Sequence, residues 1–277
     1  MIIRRVAIPG VTRVIAKNRH LHWDNIPELV AHSLGVELPY ESLTRATDVA
    51  AHIDSLSTRR REGYPEIKDP LFWAFFDRCR AYSLVHIPGF YNVYRSMQYL
   101  ATNKIAGNLV ECGCFLGGMA MFLGLLRSEL RLGHKDIFLF DTFIGAPVGS
   151  TDVVGGQTFT EPEELPRFRD TTARAIHEVV GSLQGYRFVE GLVEETLPTI
   201  DTGELALLRL DTDYYSSTRV ELEVLYPRLV AGGVLIIDDY GMFEGARRAT
   251  DEYFSSTYAV PMLNRIDGSV WAGIKPG

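Results

Sequence analysis

Four aspartates in two short stretches carry the chemistry this sequence offers. "LLRLDTDYYSST", residues 207–218, is an apolar run ending in Asp211 and Asp213, and "GGVLIIDDYG", residues 232–241, is another ending in Asp238 and Asp239. Both runs read as buried strands, so acids close two strands of one core. Adjacent parallel strands lie about 4.8 Å apart, which lets such acids face each other across a gap suited to a divalent cation. Neither stretch contains histidine or cysteine, and an all-oxygen set favours Mg²⁺ over zinc. Asp211, Asp238 and Asp239 are the candidate metal ligands. The assignment requires the second strand to stop at Asp238, because consecutive strand residues point to opposite faces. Clustered like charges are unfavourable, and a cation resolves the repulsion.

The acids need elements to hold them. From about residue 104 the chain alternates strand-like and helix-like stretches. "NLVECG" (108–113) is followed by the helical pattern "MAMFLGLLRSEL" (119–130), and "DIFLFDTF" (136–143) is a second buried strand. A helix from about 167 to 183 leads to "YRFVEG" and "LALLRLD", then to a helix with Ser216, Ser217 or Thr218 as N-cap, closed by Pro227 and Gly232-Gly233 before "VLIID". "SVWAGIKP" adds an edge strand. This rhythm of near-continuous apolar strands predicts an α/β fold with a doubly wound, mostly parallel sheet.

"GAPVGSTDVVGGQTFTEPEELP" reads as a long loop, and residues 145–166 are expected to act as a lid. Residues 1–80 read as an N-terminal helical cap region and 81–277 as the sheet domain. Trp73, Phe75, Phe76, Tyr91 and Tyr94 have the spacing of a helical core, with the lining of an apolar aglycone pocket as the competing reading.

Ligands of such sheets sit beyond the carboxyl ends of the strands. The first loop there, Glu111 to Gly118, gives G-x-x-x-G-G where a dinucleotide site needs G-x-G-x-x-G. A carboxylate at this strand end repels pyrophosphate and suits a cationic ligand, which disfavours an NAD-dependent oxidoreductase. One step later Asp141 can accept both hydroxyls of a ribose. A nucleoside cofactor without phosphates follows, and S-adenosylmethionine fits; a purely structural glycine turn is the competing reading.

The balance of 35 acidic against 28 basic residues, a net charge of −7, disfavours nucleic acid as a partner. No stretch approaches the 18 apolar residues of a membrane span, and no membrane partner is expected. The basic opening lacks the apolar run of a leader, so a cytoplasmic address is expected. Cys79, Cys112 and Cys114 make an odd count without metal-site spacing and read as buried thiols.

"LVECGCFLGG", "FLFDTFIGAP", "EGLVEETLP", "LRLDTDYYSSTRVELEVLYPRL" and "GGVLIIDDYGMFEGARRATDEYF", in that order, resemble the macrocin O-methyltransferase family, which also contains the aminocoumarin sugar methyltransferases. The resemblance spans roughly residues 82–275. It implies a class I, Rossmann-like enzyme of antibiotic biosynthesis that uses S-adenosylmethionine and Mg²⁺ to methylate a sugar hydroxyl of a glycosylated natural product. A phenolic acceptor and a non-catalytic cofactor-binding protein are the alternatives.

By motif position the resemblance implies metal ligation by Asp211, Asp238 and Asp239. It implies cofactor contacts from Glu111, Gly113, Asp141, Gly191 and Leu192, and from Ser83, where the family often has a hydroxyl residue. The related catechol methyltransferases have a lysine three residues after the first metal acid; here that position is Tyr214, which shifts the base onto a carboxylate. Asp213 is the expected base, with Asp211 the other catalytic acid. The expected partner is a small-molecule glycoside, and the expected assembly a homo-oligomer, at least a dimer.

Overall fold

The computed structural model describes residues 61–145, 151–154, 157–160, 169–257 and 259–277. Residues 1–60 of the expected cap, and part of the expected lid, lie outside the described residues.

Helix α1, Pro70–Cys79, starts with proline at its first position, and Asp69 caps it by accepting from the Leu71 N–H at 3.0 Å. Helix α2, Ile87–Thr102, again has proline in its first turn. Strand β1, Asn108–Cys112, leads into α3, Gly118–Glu129, and then β2, Ile137–Asp141. Phe72 and Phe76 of α1, Phe90 of α2 and Phe122 of α3 form a chain of mostly edge-on ring contacts. The aromatic residues of α1 and α2 therefore share one core with the sheet: Trp73, Phe76 and Tyr94 are buried, with Phe75 and Tyr91 half-buried against them.

After β2 the chain forms a hairpin of β3, Thr151–Val154, and β4, Gln157–Thr160. This corrects the reading of the stretch as a long loop at these eight residues. Thr151–Val154 and Gln157–Thr160 are rich in β-branched residues and are separated in sequence by Gly155-Gly156, the two-residue hairpin signal. Helix α4, Arg169–Val180, and β5, Tyr186–Glu190, follow, then α5, Val193–Thr196, and β6, Leu205–Leu210. Helix α6, Tyr215–Leu225, precedes β7, Leu229–Ile237, and α7, Glu244–Ser255. Strands β8, Asn264–Arg265, and β9, Trp271–Ile274, end the chain.

The seven-stranded sheet has the order β5-β2-β1-β6-β7-β9-β8. Its first five strands are parallel, whereas β9 runs antiparallel to β7 and β8 to β9. The chain order reverses between β1 and β6, where a doubly wound sheet opens its ligand crevice. Three boundaries differ from the sequence expectation. The "SVWAGIKP" strand is second from the edge, because the two-residue β8 pairs outside it. Gly232 and Gly233 lie inside β7: Gly232 takes φ 81° where the β6–β7 register shifts, so the pair makes a bulge rather than ending the preceding helix. Helix α6 begins at Tyr215 with Tyr214 in the cap position, ahead of the Ser216, Ser217 or Thr218 cap predicted.

Among the described residues no helix is long and apolar enough to cross a membrane. Phe90 has no exposed surface and meets Phe76 and Phe122 edge-on at 5.2 and 5.0 Å. Phe90→Ala should lower the unfolding free energy by about 3–5 kcal/mol, read from urea unfolding. A loss under about 1 kcal/mol would mean that α2 is peripheral to the core.

Candidate active site

Strands β1 and β6 are neighbours, and their register sets Glu111 beside Arg209. Both side chains are 1% exposed, in strands that are otherwise apolar at these depths. Arg209 Nη1 donates to Glu111 Oε1 at 2.8 Å and to Asp211 Oδ2 at 2.7 Å, while Nη2 donates to Asp238 Oδ1 at 2.6 Å. Isolated, so buried a guanidinium would be severely unfavourable; three carboxylates make the burial tolerable. Burial opposes its charge, yet Asp211, Asp238 and Glu111 outweigh that and hold Arg209 well above its usual pKa.

The acids feel the opposite imbalance. Burial pushes the Glu111 carboxyl up to about 7 against the pull of Arg209, and Glu111 Oε2 has no hydrogen-bond partner. Asp211 and Asp239 are also driven well above the usual carboxylate range. Burial is the main cause for both; Asp238 and Asp239 add to it at Asp211, and Asp213 and Asp238 at Asp239. One guanidinium does not offset the burial and mutual repulsion of these acids, which favour their protonated forms.

Strand β7 ends at Ile237, as the acidic pair required, and Asp238 and Asp239 then diverge. Asp238 turns onto Arg209. Asp239 turns towards the β6 turn, where its Oδ2 accepts from the Asp213 N–H at 3.2 Å. One carboxylate oxygen each from Asp211, Asp213 and Asp239 come within 4.8 Å of one another. The structure thus brings together two of the three predicted metal ligands, Asp211 and Asp239, with the predicted base Asp213. The third, Asp238, adjoins the trio through the shared arginine. Asp213 takes φ 69°, a left-handed conformation that aspartate tolerates better than most residues.

The residues expected to bind a nucleoside line the neighbouring strand ends. Gly113 takes φ 82°, and a Cβ there would lie 1.8 Å from the Asp211 carbonyl oxygen, so glycine allows the β1 and β6 turns to touch. Asp141 Oδ2 accepts from the Cys114 N–H at 2.5 Å and Oδ1 from the Phe143 N–H at 2.6 Å. Burial raises its pKa against these backbone donors. Gly191 donates its N–H to the Asp141 carbonyl at 3.0 Å, and Leu192 occupies the N-cap of α5. Ser83 is buried against Gly118 at the start of α3, and its Oγ accepts from the Val85 N–H. All six stand along the carboxyl ends of β1, β2 and β5 or the glycine turn that follows β1.

Two residues escaped the sequence reading. Arg209 was legible only as a lone cation in the apolar run "LALLRL". Glu221, fully buried on α6, accepts from the Thr212 hydroxyl at 2.9 Å; its signal was an acid on the apolar side of "TRVELEVL". The hairpin reaches the same neighbourhood, because both Asp152 carboxylate oxygens accept from the Gly245 N–H at the start of α7. Between them lies a cavity of about 510 Å³ whose lining includes Asp152, Tyr215, Arg247 and Glu252.

The chain is similar to several known O-methyltransferases. The sequence model described as Macrocin-O-methyltransferase matches residues 75–272. Demethyldecarbamoylnovobiocin O-methyltransferase of Streptomyces niveus is 32% identical over 204 residues, covering 70% of this chain and 76% of the relative. The 8-demethyl-8-(2,3-dimethoxy-alpha-L-rhamnosyl)-tetracenomycin-C 4'-O-methyltransferase of Streptomyces olivaceus is 30% identical over 200 residues, 68% of this chain and 74% of its own. Among solved structures, the O-methyltransferase NovP matches with a TM-score of 0.61 at 25% identity, covering 71% of this chain and 83% of that one.

The charge imbalance sets a pH signature. Glu111 titrates at about 7 in the fold against an ordinary 4.5, so between these values the native state keeps a proton that the unfolded chain has lost. Its contribution makes stability fall as pH rises through that window. Arg209→Met removes the opposing pull and extends the window upward. The variant should lose about 3–5 kcal/mol at pH 8, because buried charge is left unpaired, and distinctly less at pH 5, where protonation relieves it. Equal deficits in urea unfolding at both pH values would mean that Arg209 contributes packing alone.

Proposed function

The chain belongs to the macrocin-O-methyltransferase family and is an O-methyltransferase of class I fold, and from that premise we propose that it moves a methyl group from S-adenosylmethionine to a sugar hydroxyl of a glycosylated natural product, with Mg²⁺ as its metal. The observation that carries this reading is the meeting of Asp211, Asp213 and Asp239 beside the glycine turn of β1. The names of the relatives support the acceptor class: one methylates a novobiocin precursor, the other a rhamnosyl-tetracenomycin.

The residues present fit a hard cation. Their donors are carboxylate oxygens, close enough to share one ion and carrying charge that Arg209 only partly balances. Asp211 and Asp239 would hold the ion, with Asp238, which also accepts from Arg209, assigned as the third ligand. When bound, Mg²⁺ supplies Lewis acidity and neutralises this cluster.

Asp213 is assigned the proton. A neutral hydroxyl is a poor nucleophile, and a positioned base that accepts its proton as the oxygen attacks the sulfonium methyl contributes about 10² to 10⁴ in rate. Asp141, at the end of β2, is assigned to the ribose hydroxyls of the donor. Gly113, Gly191, Leu192 and Ser83 shape its pocket, and Glu111 gives the floor negative character towards a cationic donor. The cavity between the hairpin and α7, with Tyr215 two residues past Asp213 in its lining, is assigned to the glycoside.

Asp213→Asn should lower turnover by about 10² to 10⁴ in a methyl-transfer assay on a glycoside panel, with S-adenosylhomocysteine and Mg²⁺ affinities by calorimetry close to wild type. Loss of Mg²⁺ affinity would make Asp213 a ligand, and near-normal turnover would remove it from the reaction. EDTA should abolish activity and Mg²⁺ restore it; activity indifferent to chelation would leave the acids without a catalytic metal.

A further inference from the structure

Helix α6 carries a buried acid that the reaction as assigned does not touch. Glu221 has no exposed surface and is buried alongside Leu222 and Leu225, which join Leu208 and Leu210 in the apolar layer beneath the sheet. Its Oε1 accepts from Thr212 Oγ1 at 2.9 Å, the Cys112 thiol is a further hydrogen-bonding contact, and Oε2 has no partner. Burial drives the carboxyl up to about 8, so it is mostly neutral at pH 7. A polar group so poorly satisfied in an apolar layer does little for stability; apolar replacements of similar volume are often neutral or stabilising.

What Glu221 holds explains its presence. Thr212 stands between Asp211 and Asp213. Its hydroxyl is tied to Glu221, and its carbonyl accepts from the Tyr214 N–H at 2.8 Å and from Ser217 Oγ at 3.3 Å. Glu221 and Ser217 are one helical turn apart on α6, so the helix grips this residue at two points. With Thr212 anchored, the next residue takes its left-handed conformation and its N–H meets Asp239.

We propose that Glu221 is a positioning residue for methyl transfer: through the Thr212 hydroxyl it fixes the turn that directs the Asp213 carboxylate towards Asp211 and Asp239. The proposal rests on the assignment of Asp213 as proton acceptor.

The test is a mutant cycle on the full chain with S-adenosylmethionine, Mg²⁺ and a glycoside acceptor. Glu221→Leu should lower kcat by about 10- to 100-fold while leaving the KM for S-adenosylmethionine and the calorimetric affinity for S-adenosylhomocysteine near wild type. Its thermal midpoint should be unchanged or higher. Thr212→Val should show the same split, and the double variant should be no worse than the poorer single, as expected when two residues act through one contact. Glu221→Gln keeps an acceptor for the Thr212 hydroxyl and should recover most of the rate.

A lowered midpoint with unchanged kcat per folded molecule would overturn the proposal and make Glu221 purely structural; additive losses would overturn it by separating Glu221 from Thr212. If Glu221→Leu does not fold, Thr212→Val decides, because it removes only the hydroxyl: normal kcat overturns the proposal and reduced kcat supports it. An active Asp213→Asn variant overturns the parent assignment whatever these variants do. An inactive Asp213→Asn beside fully active Glu221→Leu and Thr212→Val overturns this inference alone.

Discussion

Nη1 of Arg209 is hydrogen-bonded to Glu111 and Asp211 at once, and Nη2 to Asp238, at a depth where the side chain is 1% exposed. The geometry of the strand ends depends on this one guanidinium. A planar fork can serve three carboxylates from three strands, whereas an ammonium is a point charge without fixed directions. Removing any one strand from the order β1-β6-β7 would leave a buried charge without its partner. The same nitrogen joins the β1 end, through Glu111, to the acidic turn after β6, through Asp211. Gly113 lets the two turns touch along the backbone as well.

The arginine does not balance the edge. Glu111, Asp211 and Asp238 share its single positive charge, and Asp213 and Asp239 add carboxylates beyond its reach. Burial therefore dominates, holding Asp211 and Asp239 far above their ordinary range and Glu111 near neutrality. A cation held here would favour the charged forms of these acids and displace the protons that burial makes them keep. This is the physical support for placing both a sulfonium donor and a divalent metal along one edge.

Much of this was legible in the chain. Strands β1, β2, β6 and β7 read as near-continuous apolar runs because helices cover both faces of a parallel sheet. The acids at their ends stood out because acid does not belong in such runs. Arg209 was not legible in the same way: its meaning comes from Glu111, 98 residues away, and only the strand order makes them neighbours. The end of β7 before Asp238 was legible as a requirement of the acidic pair, but that only Asp239 meets Asp211 and Asp213 was not, because it depends on where Arg209 reaches. The hairpin was hidden by its own Gly and Thr and by the prolines that flank it in sequence, although Thr151–Val154 and Gln157–Thr160 pair residue for residue. The start of α6 was misplaced because Ser216, Ser217 and Thr218 are strong capping types; the Ser217 hydroxyl instead donates back to the Tyr214 and Thr212 carbonyls.

Backbone strain follows the same boundary. Among the described residues five non-glycines have positive φ. Lys104 and Arg131 lie just past the ends of α2 and α3, where a left-handed residue commonly terminates a helix. The other three, Phe115, Phe143 and Asp213, sit in the turns after β1, β2 and β6. Each such residue costs of order 1–3 kcal/mol and persists only where its surroundings over-determine it. Phe143 is fixed by its N–H to Asp141 and its buried ring; Asp213 is fixed by its N–H to Asp239 and by the anchored Thr212 beside it. Strands that ran on smoothly would carry their side chains away from the edge. Turning back within two or three residues keeps Asp141, Asp211 and Asp213 at the strand ends. Local preference and observed conformation therefore disagree most where the candidate chemistry is concentrated.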